Sequence, residues 1–309
     1  MQPLHAMVLA AGLGTRLRPL TLVRAKPAIP VAGEPMIRRI ARWLAANGVT
    51  DIVLNLHHLP QTVTAVMGDG SDLGVRARYS WEQPRVLGSA GGPRLALPII
   101  GTETFFLVNG DTLTDLDLAA LVRVHEEADA LVTMAVVPNV EPHRYGGLQV
   151  DSEGRVTGFV QRGSSAEGTF HFIGVQVVQA EAFRTLAAGE VAHTVGGLYD
   201  EIVRHSPGSI RVSVSRARFW DIGTTSDYYQ TSLAFDQSER TSEVSGERVF
   251  VDPAATVTRS ILWDDVHVGP GCHLDACIVA DGVRVTPGSS YERSVIIQAN
   301  GHLMVTPIG

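Results

Sequence analysis

The sequence predicts an α/β chain: a Rossmann-like mixed, mostly parallel sheet flanked by helices, followed by a short parallel β-solenoid. Three observations predict it. Strand-like and helix-like stretches alternate up to about residue 237, the pattern of strands joined by covering helices. A glycine-rich turn follows the first apolar run, where ligands sit in such sheets. Near the C-terminus, three ungapped segments of equal length repeat, as stacked coils do.

Taken in order, Met7–Ala11 reads as a buried strand, Met36–Asn47 as a helix and Asp51–Leu56 as a second strand. Thr104–Val108 reads as another strand, followed by Asp111 and a helix over Leu116–Glu127. The loops after Ala11 and Val108 are therefore the first places to seek a site. Residues 238–248, QSERTSEVSGE, are polar and read as a linker. Beyond it, VFVDPAATVTRSILWDD, VHVGPGCHLDACIVADG and VRVTPGSSYERSVIIQA each have 17 residues, with proline at 253, 270 and 287. The expected organisation is thus a domain over 1–237, a linker over 238–248 and a repeat domain over 249–309. Cys272 and Cys277 fall at small inward columns of the repeat, where core filling is expected.

Composition narrows the function. The chain has 309 residues, 45% hydrophobic and 18% charged, which suits a folded core. A net charge of −7 disfavours a general nucleic-acid binder, and no aromatic stacking platform stands out. No apolar run approaches the ~18 residues of a membrane span. The N-terminus lacks a basic region before its apolar run, so no signal peptide is expected and a cytoplasmic location is. Two cysteines form no disulfide framework.

The turn after the first strand, GLGTR, fits no Walker A loop, and Leu17 stands where a dinucleotide fingerprint needs a third glycine. Two readings remain: a plain tight turn, or backbone N–H groups facing an anion with Arg16 and Lys26 closing over it. Arginine offers a fork and lysine a point charge, a natural pair for polyphosphate. His57, His58 and His171 have no metal-ligand spacing and read as polar residues at strand ends.

The wider stretch LAAGLGTRLRPLT, then Lys26-Pro27 and PVAGEPMI, resembles the signature of the sugar-1-phosphate nucleotidylyltransferases. LGSAGG at 87–92, FFLVNGD at 105–111, RYGG at 144–147, FIGVQ at 172–176 and FWDIGT at 219–224 resemble further family segments in order. The resemblance covers nearly the whole chain, with mannose-1-phosphate guanylyltransferases as the nearest expected type. The repeats look like the left-handed β-helix that many members carry.

The resemblance implies transfer of a nucleotidyl group from an NTP to a sugar 1-phosphate, releasing pyrophosphate. The attacking phosphate oxygen is already an anion. The protein's task is to align two mutually repelling anions and neutralise charge on the α-phosphate. By resemblance, Arg16 grips the triphosphate and Lys26 neutralises charge in transfer. Leu9, Ala10, Ala11, Gly12, Gly14 and Thr15 wrap the nucleotide, with Gly88 and Ser89 on its other side. Asp111 and Asp221 hold Mg²⁺, which takes carboxylates together with substrate phosphate oxygens; Asp111 read alone could equally cap the next helix. Asn109, Tyr145, Gly146, Gln161, Arg162 and Gly174 fall on the sugar side. The family commonly has Glu-Lys-Pro where this chain has Gln161-Arg162-Gly163, which leaves the sugar open.

Glu82 precedes the LGSAGG loop. It reads either as a solvated loop charge or as a base reader, since a carboxylate accepts from both N1–H and N2–H of guanine. The second reading favours GTP, with a mannose- or glucose-like 1-phosphate. The alternatives are a uridylyl- or thymidylyltransferase, or a catalytically silent NDP-sugar-binding regulatory subunit. A homo-oligomer through the β-helix is expected.

Overall fold

The computed structural model describes residues 4–239, 246–299 and 301–309. In chain order it runs β1 (Leu4–Leu9), β2 (Pro30–Val31), β3 (Glu34–Pro35), α1 (Met36–Ala46), β4 (Val49–Leu56), α2 (Pro60–Met67), β5 (Arg76–Trp81), α3 (Gly88–Ile100) and β6 (Thr104–Asn109). Then come β7 (Thr112–Thr114), α4 (Leu118–Ala128), β8 (Val132–Pro138), β9 (Gly147–Val150), β10 (Val156–Val160), β11 (Phe170–Gln179) and α5 (Glu181–Arg184). Last are α6 (Tyr199–His205), β12 (Ile210–Val214), β13 (Phe219–Asp221) and α7 (Thr225–Glu239), ahead of ten short strands.

Two compact units divide the chain: Met1–Gly12, Ile40–Pro60 and Met67–Phe219 in one, and Leu13–Arg39, Gln61–Val66 and Trp220–Gly309 in the other. They cut across the division expected at residue 237, and one boundary falls inside the glycine loop. Of the expected linker, residues 240–245 lie outside the described residues, while 238 and 239 end α7.

The first unit is built on a nine-stranded sheet ordered β10-β9-β11-β6-β1-β4-β5, with β8 on β11 and β12 on β8. Strands β6, β1, β4 and β5 are parallel. Such strands are covered on both faces, hence the near-continuous apolar runs of β1 and β4. The core packs Met7, Val53, Leu107, Met134, Val178, Phe183 and Tyr199. Strand β11 runs antiparallel to β6 and β8, and its register on β8 shifts between Phe172 and Gln176. Gly174 lies inside that shift at φ +81°.

In the second unit the C-terminal strands form a parallel β-helix, and the repeat is its coil. Phe250 pairs with His267 and His267 with Arg284, while Ile261 pairs with Ile278 and Ile278 with Val295, each step 17 residues. Left-handed backbone recurs at the same step at Arg259, Ala276 and Arg293, which turn one corner. Cys272 and Cys277 are free thiols buried among Val268, Leu274, Val279 and Val285. They fill the core as the repeat predicts, and burial pushes the Cys277 thiol up.

Candidate active site

In the first unit, the loops beyond β1 and β6 lie side by side. Leu9 and Asn109 are register partners, and the Gly110 N–H donates to Leu9 O at 3.0 Å. Asp111 follows one residue later, half-buried. It does not cap the next helix: β7 intervenes, and Asp117 is the cap of α4, accepting from Ala119 N at 2.9 Å. The sequence alternative for Asp111 is thereby removed.

Glu82 departs from both expectations. It is 0% exposed. Oε1 accepts from Asn55 Nδ2 at 2.7 Å and Oε2 from Leu87 N at 2.6 Å. Asn55 Oδ1 in turn accepts from Ala10 N at 2.7 Å. His57 Nδ1 donates to the Glu82 carbonyl at 2.8 Å. The carboxylate therefore ties the start of the glycine loop to the start of LGSAGG, and both oxygens are engaged inside the protein. A buried carboxylate needs such donors, and it is neither a solvated charge nor open to a base. Sequence reasoning missed Asn55 because nothing in DIVLNL marks it.

Gly88 and Ser89 open α3. Ser89 Oγ accepts from Thr194 N at 2.9 Å and lies 2.9 Å from Thr194 Oγ1, while Ala192 O accepts from Ala90 N and Gly91 N. The segment 192–194 thus clasps the start of this helix. It was not foreseen, and no local pattern announces it.

On the expected sugar side, Tyr145 stacks on His171 at 4.1 Å, and Phe219 closes on both, at 5.9 and 5.1 Å. Arg144 lies over the Tyr145 ring at 4.9 Å. Burial among these rings depresses the His171 pKa to about 4, against opposing pulls from Gly146 and Glu141. His171 is thus a strand-end residue, at the start of β11, and a neutral member of an aromatic cluster. A Cβ on Gly174 would stand 2.9 Å from Thr112 Oγ1 and 3.1 Å from Asn109 Cβ, so glycine lets β11 approach the β6 loop. Gly146 borders the 160–162 turn, and Gln161 and Arg162 are exposed there.

The second unit gathers the cationic residues. Gly14 has φ +59°, and a Cβ there would meet Thr21 Cγ2 at 2.7 Å and Lys26 Cβ at 3.3 Å. Thr21 Oγ1 donates to Gly14 O at 3.0 Å. The glycine turn and Lys26 are therefore packed together, although Gly14 and Lys26 are twelve positions apart in sequence. Thr15 and Arg16 begin a 3-10 turn and are exposed. Arg16 Nη1 lies 3.2 Å from a Cβ built on Gly223, two residues after Asp221. Asp221 itself is half-buried at the end of β13.

Among the described residues no cluster of three or more His, Cys, Asp or Glu forms a metal cage. Asp111 and Asp221 each offer a single carboxylate from a strand end or tight turn. A lone carboxylate of this kind suits Mg²⁺, which takes one or two carboxylates and fills its shell with water and phosphate oxygens. Among the described residues no helix is long and apolar enough to cross a membrane.

The model of the family "Nucleotidyl transferase" matches residues 5–238, and "GlmU-like, C-terminal hexapeptide" matches 235–293. The mannose-1-phosphate guanylyltransferase of Mycobacterium tuberculosis is 30% identical over 86% of this chain and 75% of its own length. The N-acetylmuramate alpha-1-phosphate uridylyltransferase of Neisseria meningitidis is 36% identical over 61% of this chain and 81% of its own. The crystal structure of HddC from Yersinia pseudotuberculosis, in a complex with GMP-PN, superposes with a TM-score of 0.64 at 24% identity, over 75% of this chain and 99% of that one, and shares the fold. The chain belongs to the nucleotidyl transferase family, with a GlmU-like hexapeptide segment following its catalytic fold.

Proposed function

We propose that the protein transfers a nucleotidyl group from an NTP to a sugar 1-phosphate, releasing pyrophosphate. The observation that carries this reading is the packing of Lys26 against the Gly14 turn, beside Arg16. Backbone donors, a fork and a point charge close together are what an α-phosphate and its leaving pyrophosphate require. Arg16 would hold the departing phosphates. Lys26 would offset charge growing on the α-phosphate. Asp111 and Asp221 would hold Mg²⁺, which supplies charge neutralisation at phosphate oxygens. The Leu9–Gly12 backbone, with Gly88, would bound the nucleoside. Asn109, Tyr145, Gly146, Gln161, Arg162 and Gly174 would bound the sugar. No side-chain nucleophile is needed, because the sugar phosphate attacks directly.

For the base, the first pairing is GTP with a mannose- or glucose-like 1-phosphate, supported by likeness to the mycobacterial guanylyltransferase over most of the chain. The second reading is UTP, supported by the higher identity to the meningococcal uridylyltransferase. The engagement of Glu82 removes the guanine-specific acceptor, and with it the residue-level support for the first reading. Pyrophosphate release over a grid of four NTPs and several sugar 1-phosphates tests both. Turnover with one pair identifies the substrate, and none with any pair leaves the silent NDP-sugar-binding reading. Association through the β-helix is proposed on the same footing as the substrates.

A further inference from the structure

We infer that Arg24 is a positioning residue for Lys26, held by carboxylates from two successive coils of the β-helix. This rests on the role given to Lys26 above. Asp264 and Asp281 occupy one column of the 17-residue repeat. Arg24 reaches both: Nε to Asp281 Oδ2 at 2.6 Å, Nη2 to Asp281 Oδ1 at 2.7 Å, and Nη2 to Asp264 Oδ2 at 2.5 Å. Its side chain is only 12% exposed and lies over the Trp263 ring at 5.5 Å. The aspartates are fixed in turn, since Asp281 Oδ1 accepts from Asp264 N and Asp264 Oδ1 from Glu247 N.

From Arg24 the chain has little freedom before Lys26. Ala25 N donates to Thr62 Oγ1 at 3.0 Å, and the 3-10 turn Lys26–Ala28 begins at the next residue. The far side of the turn is tied as well: Trp263 Nε1 donates to Tyr228 Oη at 2.8 Å, and Tyr228 Oη donates to Pro30 O at 2.7 Å. Residues 24–30 are thus clamped at both ends by groups that include the β-helix residues Trp263, Asp264 and Asp281. A lysine ammonium rides on four flexible carbons, so only its backbone can be placed by the fold. The clamp places it against Gly14. Arg24 is also suited to this in a way lysine is not, because its fork can engage two carboxylates at once. The β-helix is in this view a brace for the phosphate loop and not an appendage.

The test uses the full chain with Asp281→Asn, which keeps volume and weakens the fork, and Arg24→Lys, which keeps charge and loses the fork. Hydrogen exchange should quicken roughly tenfold at the Ala28 and Ile29 amides, which close the turn on Ala25 O and Lys26 O, while the β-helix stays protected. The kcat should fall roughly tenfold with KM for the NTP moving far less, as misplacement of a transition-state group does. In a Lys26→Ala background, followed by single turnover, Asp281→Asn should cost almost nothing more, because residues acting through one another are non-additive. Unchanged exchange at Ala28 and Ile29, or equal losses in both backgrounds, overturns the inference. If the native chain turns over no substrate pair, the proposed function fails separately, and exchange alone decides the brace.

Discussion

Asn55 and Leu87 between them occupy Glu82 so fully that a Glu82→Gln change must aim an NH₂ group at a donor. If Asn55 turned its own amide to match, it would lose Ala10 N. The variant should be destabilised by about 1–3 kcal/mol, read by urea unfolding. Its kcat/KM should fall for GTP and UTP together, leaving their ratio unchanged. A selective loss of GTP would return the base-reading role to Glu82. Asp111→Asn and Asp221→Asn remove a charge and almost no volume. Each should cut Mg²⁺-dependent turnover by at least about a hundredfold with an unaltered circular dichroism melt. Near-native rates at saturating Mg²⁺ would take that residue out of the metal site. His171 gives a pH dependence. Its folded pKa of about 4 lies below the ordinary histidine value of 6.5, with burial the main cause and Glu141 and Arg144 nearby. The unfolded chain therefore binds the extra proton first. Stability is full above about 6.5 and declines as pH falls toward 4, by roughly 2–3 kcal/mol after allowing for partial exposure. His171→Gln should flatten that slope in thermal melts between pH 4 and 6.5, and an unchanged slope would count against the assignment.

The glycine turn and its 3-10 continuation set two arginines apart. Arg16 turns toward Gly223, whereas Arg18 caps the C-terminal end of the turn. Arg16→Ala should lower kcat/KM by on the order of 10²–10³-fold and Arg18→Ala much less. Equal losses in the pyrophosphate assay would mean the turn presents a different face to substrate. Five of the elements ahead of the repeats were legible in sequence. The strand beginning at Thr104 and the helices at Met36 and Leu118 lie within two residues of their expected starts, because apolar periodicity is a local signal. The clasp of residues 192–194 on α3 was not legible, since Ser89 and Thr194 meet across 105 residues.

For the whole molecule, the first coil and the last hairpin of the β-helix each leave apolar side chains exposed. Phe250 is 49% exposed on the first coil, and Met304 and Val305 are about two-fifths exposed on the last hairpin. Burying them against a second copy predicts an oligomer by light scattering, and Phe250→Glu should shift it toward monomer; a native chain that is already monomeric would refute this. What the sequence by itself determined were features written in neighbouring residues. These are the parallel α/β order, the 17-residue coil, the buried cysteines, and the glycine turn with its arginine. Each depends on local periodicity or on a backbone conformation that few residues adopt. Only the tertiary structure decided what Glu82, Asn55, Ser89 and Arg24 do. Asn55 meets Glu82 across 27 residues, and Arg24 meets Asp281 across 257. A buried charge has to find its donors wherever the fold brings them, and the residues flanking it in sequence carry no trace of which donors those are.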